Sequence, residues 1–404
     1  MKFNLLFPIF EEKQKMTEQT FYRYNPWWES DVRSDNFIER EKILTILKSY
    51  LRSKQIVFLT GLRRVGKTTC MKMLINHLIA NAGINPAKIF YLSLDDYLLK
   101  DKSIIELVEE YRKIMKISFS EKIFLFLDEV AYKKDFEIQL KNLYDSQNVK
   151  IYASSSSASI LKSRKSFLTG RNIVIEVLPL DFEEYLLFKN ISLKKSDNHL
   201  LDVHFEDYLK VGGIPEYVLN NDISYLKELI DDIIVKDISS FYNVKSTSIL
   251  KDFYILLMER AGKSLSINKM SKILNISPDS ARRYLNMFED TFLIYLVDRW
   301  GKPNDKVLAP KKIYSADIGL RNYITGFKDK GSIFENYVFL KIKGLNPKYV
   351  YESEIEIDFI TENKVLIESK YGSEMTLKQK QLFEKTKAKK KIIITGYRDV
   401  MDLL

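Results

Sequence analysis

"QIVFLTGLRRVGKTTCMKMLINHLIANAG", residues 55–83, decides how this chain of 404 residues folds. Ile56 to Thr60 read as a buried strand, G-x-x-x-x-G-K-T follows at Gly61 to Thr68, and a helix rich in Met, Leu and Ile comes next. Each part has a physical task in holding a phosphate chain. Gly61 and Gly66 let the backbone turn so tightly that its N–H groups converge. The start of the helix adds partial positive charge at the same place. Lys67 is the residue type that reaches β- and γ-phosphates, and the Thr68 hydroxyl is a magnesium ligand.

Working outward, such a loop needs a carboxylate for the hydrated magnesium and a base for the attacking water. "KIFLFLDEV" (122–130) supplies both, because its apolar strand belongs mid-sheet and ends in Asp128 and Glu129. One other strand candidate, "KIFYLSLDD", lies between the two motifs. "VKIYASSSSAS" (149–159) ends in hydroxyls where a group sensing the γ-phosphate belongs, and Ser155 is the expected one. "RNIVIEVLPLDFEEYL" (171–186) adds a last strand and a helix. The alternation predicts an α/β fold: a P-loop NTPase domain with a doubly wound parallel sheet over residues 36–190.

Composition sets the outer limits. Apolar content of 46% and charged content of 29% belong to a globular chain, and the length calls for more than one domain. A formal charge of +10 permits a polyanionic partner without demanding one. Cys70 is the single cysteine and only His77, His199 and His204 occur, so intramolecular disulfides and Cys/His zinc sites are excluded. "FNLLFPIF" near the start is too short to span a membrane and lacks a signal peptide's features, and no later apolar run is long enough. A cytoplasmic protein without a membrane partner is expected. Within residues 1–35, "YNPWWES" offers Trp27 and Trp28 either for packing or for binding.

Downstream, "DYLKVGGIPEYVLNND" (207–222) breaks a helical region at Gly212-Gly213 and Pro215, as a helical lid over residues 191–240 would. Residues 241–328 read as three helices and a ribbon, a winged helix. Ser277 and Pro278 open its third helix as N-cap and first helical residue. Arg282 and Arg283 project from that helix, and Lys302, Lys306, Lys311 and Lys312 from the ribbon, as contacts for DNA phosphates. The bland alternative is a module that packs against a protein, with solvated lysines.

Residues 329–404 read as helix, three strands, helix, strand, the element order of the PD-(D/E)xK nuclease fold. In "EIDFITENKVLIESK" (356–370) a turn centred on Asn363 sets Asp358 opposite Glu368, with Lys370 on the same face. With Glu335 on the preceding helix, Asp358 and Glu368 would be oxygen ligands for Mg2+ or Mn2+, and Lys370 would orient the water. The competing reading is the wet face of a half-buried sheet.

"GLRRVGKTT", "FLFLDEV", "FLTGR", "LPLDFEEYL", "GGIPEYV" and "KKIYSADIGL" occur in an order that resembles a group of prokaryotic AAA+-type ATPases. In that group a P-loop domain precedes a winged helix and a restriction-endonuclease-like region. The resemblance implies ATP binding by Gly61, Arg64, Gly66, Lys67, Thr68 and Thr69, with Asp128 and Glu129 at the hydrolytic site. It also implies that Arg171 contacts nucleotide, between subunits of a homo-oligomer. Ser154 departs from the family, which has glycine before the sensor serine. Two functions compete: an ATPase that couples nucleotide state to DNA binding and metal-dependent cleavage, or an ATP switch for a protein partner with an inactive nuclease-like domain.

Overall fold

The computed structural model describes residues 16–29, 37–156, 168, 170–304 and 309–401. It divides into two units, residues 1–61 with 66–177, and residues 62–65 with 178–404.

The first unit holds a five-stranded parallel sheet of β1 (Ile56–Thr60), β2 (Ile89–Ser93), β3 (Ile123–Asp128), β4 (Val149–Ser155) and β5 (Asn172–Glu176). Its order is β2-β3-β4-β1-β5. Every residue of β1, β3 and β4 is buried, which suits the apolar runs that placed them mid-sheet, whereas β5 is mostly half-buried at an edge. Because β4 lies between β1 and β3, its last residues sit between the two motifs that follow those strands.

The other edge, β2, is closed by residues that precede the sheet. The Asn25 side chain accepts from the Tyr91 N–H at 2.7 Å and donates to the Tyr91 carbonyl at 2.9 Å, replacing a neighbouring strand. Trp28 donates its indole N–H to the Ile89 carbonyl at 3.0 Å and stacks on Phe90 and Tyr111. Both tryptophans therefore pack. Residues 16–29 belong to this unit rather than standing apart as an extension.

The second unit runs from residue 178 onward, with residues 62–65. The Phe182–Phe188 helix, expected with the P-loop domain, buries Phe182 beside Phe205 and Tyr397 at ring distances of 5.2 and 4.6 Å. Tyr208, Tyr314, Tyr337, Phe359 and Ile367 share one cluster. Helices Leu201–Val211, Pro215–Asn220 and Ile223–Asp232 follow, the last running into a π-helix at Ile233–Ser240. Gly213 donates its N–H to Asp317 at 2.6 Å, and a Cβ on Gly319 would lie 2.0 Å from the Val211 carbonyl. "GGIPEYV" and "SADIGL" are thus two halves of one backbone contact.

Helices Thr247–Met258, Ile267–Ile273 and Pro278–Asp290 precede an antiparallel ribbon of β6 (Ile294–Val297) and β7 (Lys312–Ser315). Ser277 caps its helix as expected, accepting from the Ser280 N–H at 3.1 Å. The Lys330–Ile342 helix then leads to β8 (Lys348–Glu352), β9 (Ile355–Ile360) and β10 (Val365–Ser369), the Leu377–Lys385 helix and β11 (Lys390–Ile394). Sheet order is β11-β10-β9-β8, with β10 and β11 parallel. Leu366 faces Ile360 and Ile367 faces Phe359, the register that a turn at Asn363 requires. Neither face of this hairpin is wet. Ile360 and Leu366 lie under Leu382 and Phe383, while Phe359 and Ile367 join the larger core.

Candidate functional site: a phosphate loop with its acidic pair

The loop after β1 adopts the backbone that its glycines anticipate. Gly61 has φ +131°, and a Cβ there would stand 2.3 Å from the Val177 carbonyl oxygen. Gly66, at φ +95°, caps the Lys67–Ala80 helix. Lys67 is buried and donates to the Gly61 carbonyl at 3.0 Å, folding its side chain back over the loop. Thr68 remains exposed and donates to Asp128 Oδ2 at 2.6 Å; Thr69 is half-buried.

Asp128 ends β3 and Glu129 follows in a left-handed conformation, φ 52°. Asp128 also accepts from the Tyr91 hydroxyl at 3.0 Å and from the Ser154 hydroxyl. Burial, and then the Asp128 charge, push the Tyr91 phenol far above its ordinary range, so it stays a donor. Ser154 in turn accepts from the Glu129 N–H at 3.0 Å. The Ser156 hydroxyl and N–H donate to the Glu129 carboxylate at 3.2 and 3.3 Å. Strand alternation puts Ser155 on the other face from Ser154 and Ser156. Ser154 and Ser156 thus meet the acidic pair, while Ser155, expected to sense the γ-phosphate, points to the other face. The two-residue period of β4 was the available signal: β4 residues on the face of Asp128 differ from Ser155 by odd steps.

Two of the expected nucleotide contacts pair with carboxylates of this chain. Arg64, at φ 65°, gives its guanidinium to Asp232 at 2.8 Å, within the second unit. Arg171 pairs with Asp145 at 3.2 Å just ahead of β5. In a parallel sheet that is the end opposite the phosphate loop, roughly 17 Å away across five strand residues. Arg171 does not reach its own chain's loop.

The C-terminal residues cluster without forming the expected metal set. Asp358 Oδ2 accepts from the Ser369 N–H at 2.8 Å and the Ser369 hydroxyl at 2.6 Å. Glu368 accepts from the Asp358 N–H at 3.0 Å, from Lys370 at 2.8 Å and from Gln379 at 3.2 Å. Glu335 accepts from the Tyr314 hydroxyl and from Lys312, both at 2.6 Å. Among the described residues no group of three or more His, Cys, Asp or Glu side chains is placed to hold a metal ion. Glu335 Oε1, Asp358 Oδ2 and both Glu368 oxygens are turned to protein donors instead. Burial, then the Asp358 charge, raise the Glu335 carboxyl to about 7 and push Glu368 upward too.

Of the proposed DNA contacts, Arg282, Arg283, Lys302 and Lys311 are exposed, and Lys306 lies outside the described residues. Lys312 is a correction: it is fully buried, its ammonium taken by carboxylates rather than offered to phosphate. Its neighbour Lys311 pairs with Asp298 at 3.2 Å.

A family model described as "AAA domain" matches residues 53–186, and one described as "Domain of unknown function (DUF8612)" matches residues 202–331. The uncharacterized protein MJ1544 of Methanocaldococcus jannaschii is 30% identical over 353 residues, covering 81% of this chain and 77% of that protein. The chain belongs to the same family, and its first unit is of the AAA type of P-loop ATPases. Another member from that organism, MJ1637, is 27% identical, with 92% of this chain and 86% of that one covered. Among solved structures, the Walker-type ATPase PABY2304 of Pyrococcus abyssi aligns at 16% identity over 72% of this chain and 97% of that one, TM-score 0.42. The Aeropyrum pernix Orc1 protein, in complex with DNA, aligns at 11% identity over 73% and 95%, TM-score 0.34. No helix among the described residues of this family member is long and apolar enough to cross a membrane.

Proposed function

We propose that this protein hydrolyses ATP and that its nucleotide cycle governs how it engages DNA. One observation carries the reading: Thr68 donates to Asp128, Ser154 links Asp128 to Glu129, and Lys67 lies in the same loop, donating to the Gly61 carbonyl. Lys67 would leave the Gly61 carbonyl for the β- and γ-phosphate oxygens, which the loop amides also bind. Thr68 and Asp128 are the residues that would hold magnesium, their hydroxyl–carboxylate pair being an oxygen set suited to a hard cation. Magnesium would supply neutralisation of the phosphate charge. Glu129 would accept a proton from the attacking water, with Ser154 fixing its main chain and Ser156 releasing its carboxylate. Arg171, remote from its own loop, would act on the nucleotide of a second copy.

Arg282, Arg283, Lys302 and Lys311, exposed on the third helix and the ribbon, support a winged-helix contact to DNA phosphates. Phosphate release should vanish in Lys67→Ala and Glu129→Gln, and DNA should change the parent's rate; parent-like turnover in both variants would sink the assignment. A second reading, an ATP switch whose C-terminal domain does not cut, is favoured by the protein donors that occupy Asp358 and Glu368. Incubating single-stranded, duplex and branched DNA with Mg2+ or Mn2+ separates the two, Asp358→Ala and Lys370→Ala serving as controls.

A further inference from the structure

We propose that the resident cation of the C-terminal carboxylate cluster is the protein's own Lys312 ammonium, which holds the place a divalent metal would need. The inference rests on reading the β9–β10 hairpin as nuclease-like only in naming where that metal would sit. Lys312 comes from β7, outside the nuclease-like element order, and none of its surface meets solvent. Its Nζ lies 2.6 Å from Glu335, 2.6 Å from Glu356 and 4.0 Å from Asp358. An ammonium has three N–H donors and no acceptor; two go to Glu335 and Glu356, and Asp358 adds its charge from 4.0 Å.

The neighbouring groups close the arrangement. The Tyr314 hydroxyl shares the Glu335 oxygen that Lys312 uses. Asp358 turns its other oxygen to Ser369, and Lys370 neutralises Glu368. The carboxylate oxygens stand 2.6 Å from the ammonium nitrogen, further than the roughly 2.1 Å at which magnesium holds each ligand. A metal ion would therefore have to displace a positive charge that has no solvent to move into. Burying Lys312 without these anions would be costly, whereas the carboxylates, which keep some exposure, can persist without it. Lys312 and Lys370 thus offset part of the charge of four carboxylates from within the protein, and in this state the place for a metal is taken.

Divalent binding tests this without any cleavage assay. In the full-length chain carrying Asp128→Asn, which removes the P-loop carboxylate, Mn2+ is titrated without nucleotide and read by electron paramagnetic resonance. The Lys312-containing protein should take up no Mn2+ at the cluster. Lys312→Ala should bind Mn2+ at least ~10-fold more tightly, and adding Asp358→Asn should abolish the gain. Stoichiometric Mn2+ binding with Lys312 present, lost on Asp358→Asn, would overturn the proposal. So would a folded Lys312→Ala protein that binds no metal. Should alanine leave the chain unfolded, Lys312→Met keeps the apolar stem and carries the same two outcomes. ATP turnover in the Lys312 variants of the otherwise native chain should remain at the parent level, which separates this result from any failure of the ATPase reading.

Discussion

The two acidic centres of this protein are built on opposite terms. Asp128 in the first unit is met by three hydroxyl groups, from Thr68, Tyr91 and Ser154. Glu335 in the second is met by the Lys312 ammonium and one hydroxyl. Hydroxyls are neutral and rotate, so a carboxylate held by them remains able to take a cation. A carboxylate already paired with a buried lysine has spent that capacity. Perturbed carboxyls cluster at the second centre, yet it is the first whose carboxylate is met by neutral hydroxyls. Charge density by itself does not make a metal site.

The comparison can be broken by substitution, most forcefully at the second centre. Glu335→Ala leaves Lys312 buried with one close anion, and should lower the unfolding free energy by about 3–5 kcal/mol in denaturant titration. A loss under ~1 kcal/mol would mean that the cluster is better hydrated than its geometry indicates. Asp128→Asn should do the reverse: unfolding within about 1 kcal/mol of the parent, because an amide can still accept from hydroxyls, but phosphate release down by ~10²-fold or more.

A smaller effect sharpens the first centre. Ser154→Ala removes the group that links Asp128 to the Glu129 main chain, and should slow hydrolysis by about 10-fold. Ser155→Ala, on the other face, should slow it less than twofold in the same steady-state assay. Equal effects would return the sensor role to Ser155.

The smallest effect concerns pH. Asp317 is buried, which raises its carboxyl to about 6, although the N–H groups of Gly213 and Leu320 pull it down. Its folded value lies above the unfolded one, so the native state binds the proton more tightly. Stability should therefore fall as pH rises from about 4 to 6 and stay level above that, by on the order of 1–3 kcal/mol from this group. Thermal unfolding across that range, parent against Asp317→Ala, isolates the contribution. An unchanged slope in the variant would assign it to other groups.

How much was legible varies with distance along the chain. The loop at Gly61 to Thr68 could be read directly, because strand, glycines, lysine and helix are contiguous and each constrains the next. The hairpin register was equally local, since one turn position sets which residues face each other. Lys312 was misread as a surface lysine, because "APKKIY" places two lysines side by side and nothing nearby says which is buried. Alternation along β7 separates them, but only Glu335 and Glu356, far away in sequence, reveal what the buried one meets. What the Phe182–Phe188 helix packs against was not legible for the same reason: its partners, Phe205 and Tyr397, lie far downstream.

Sequence alone thus determined the pieces whose chemistry is contained in a few neighbouring residues: the phosphate loop, the acidic pair that ends β3, the capped third helix, the turn at Asn363. Tertiary structure decided which serine reaches the acidic pair, which end of the sheet Arg171 occupies, and which cation the C-terminal carboxylates accept. The physical reason is range. Backbone conformation and strand period act over a few residues, whereas the electrostatics of a buried charge depend on whatever the fold brings within about 4 Å of it.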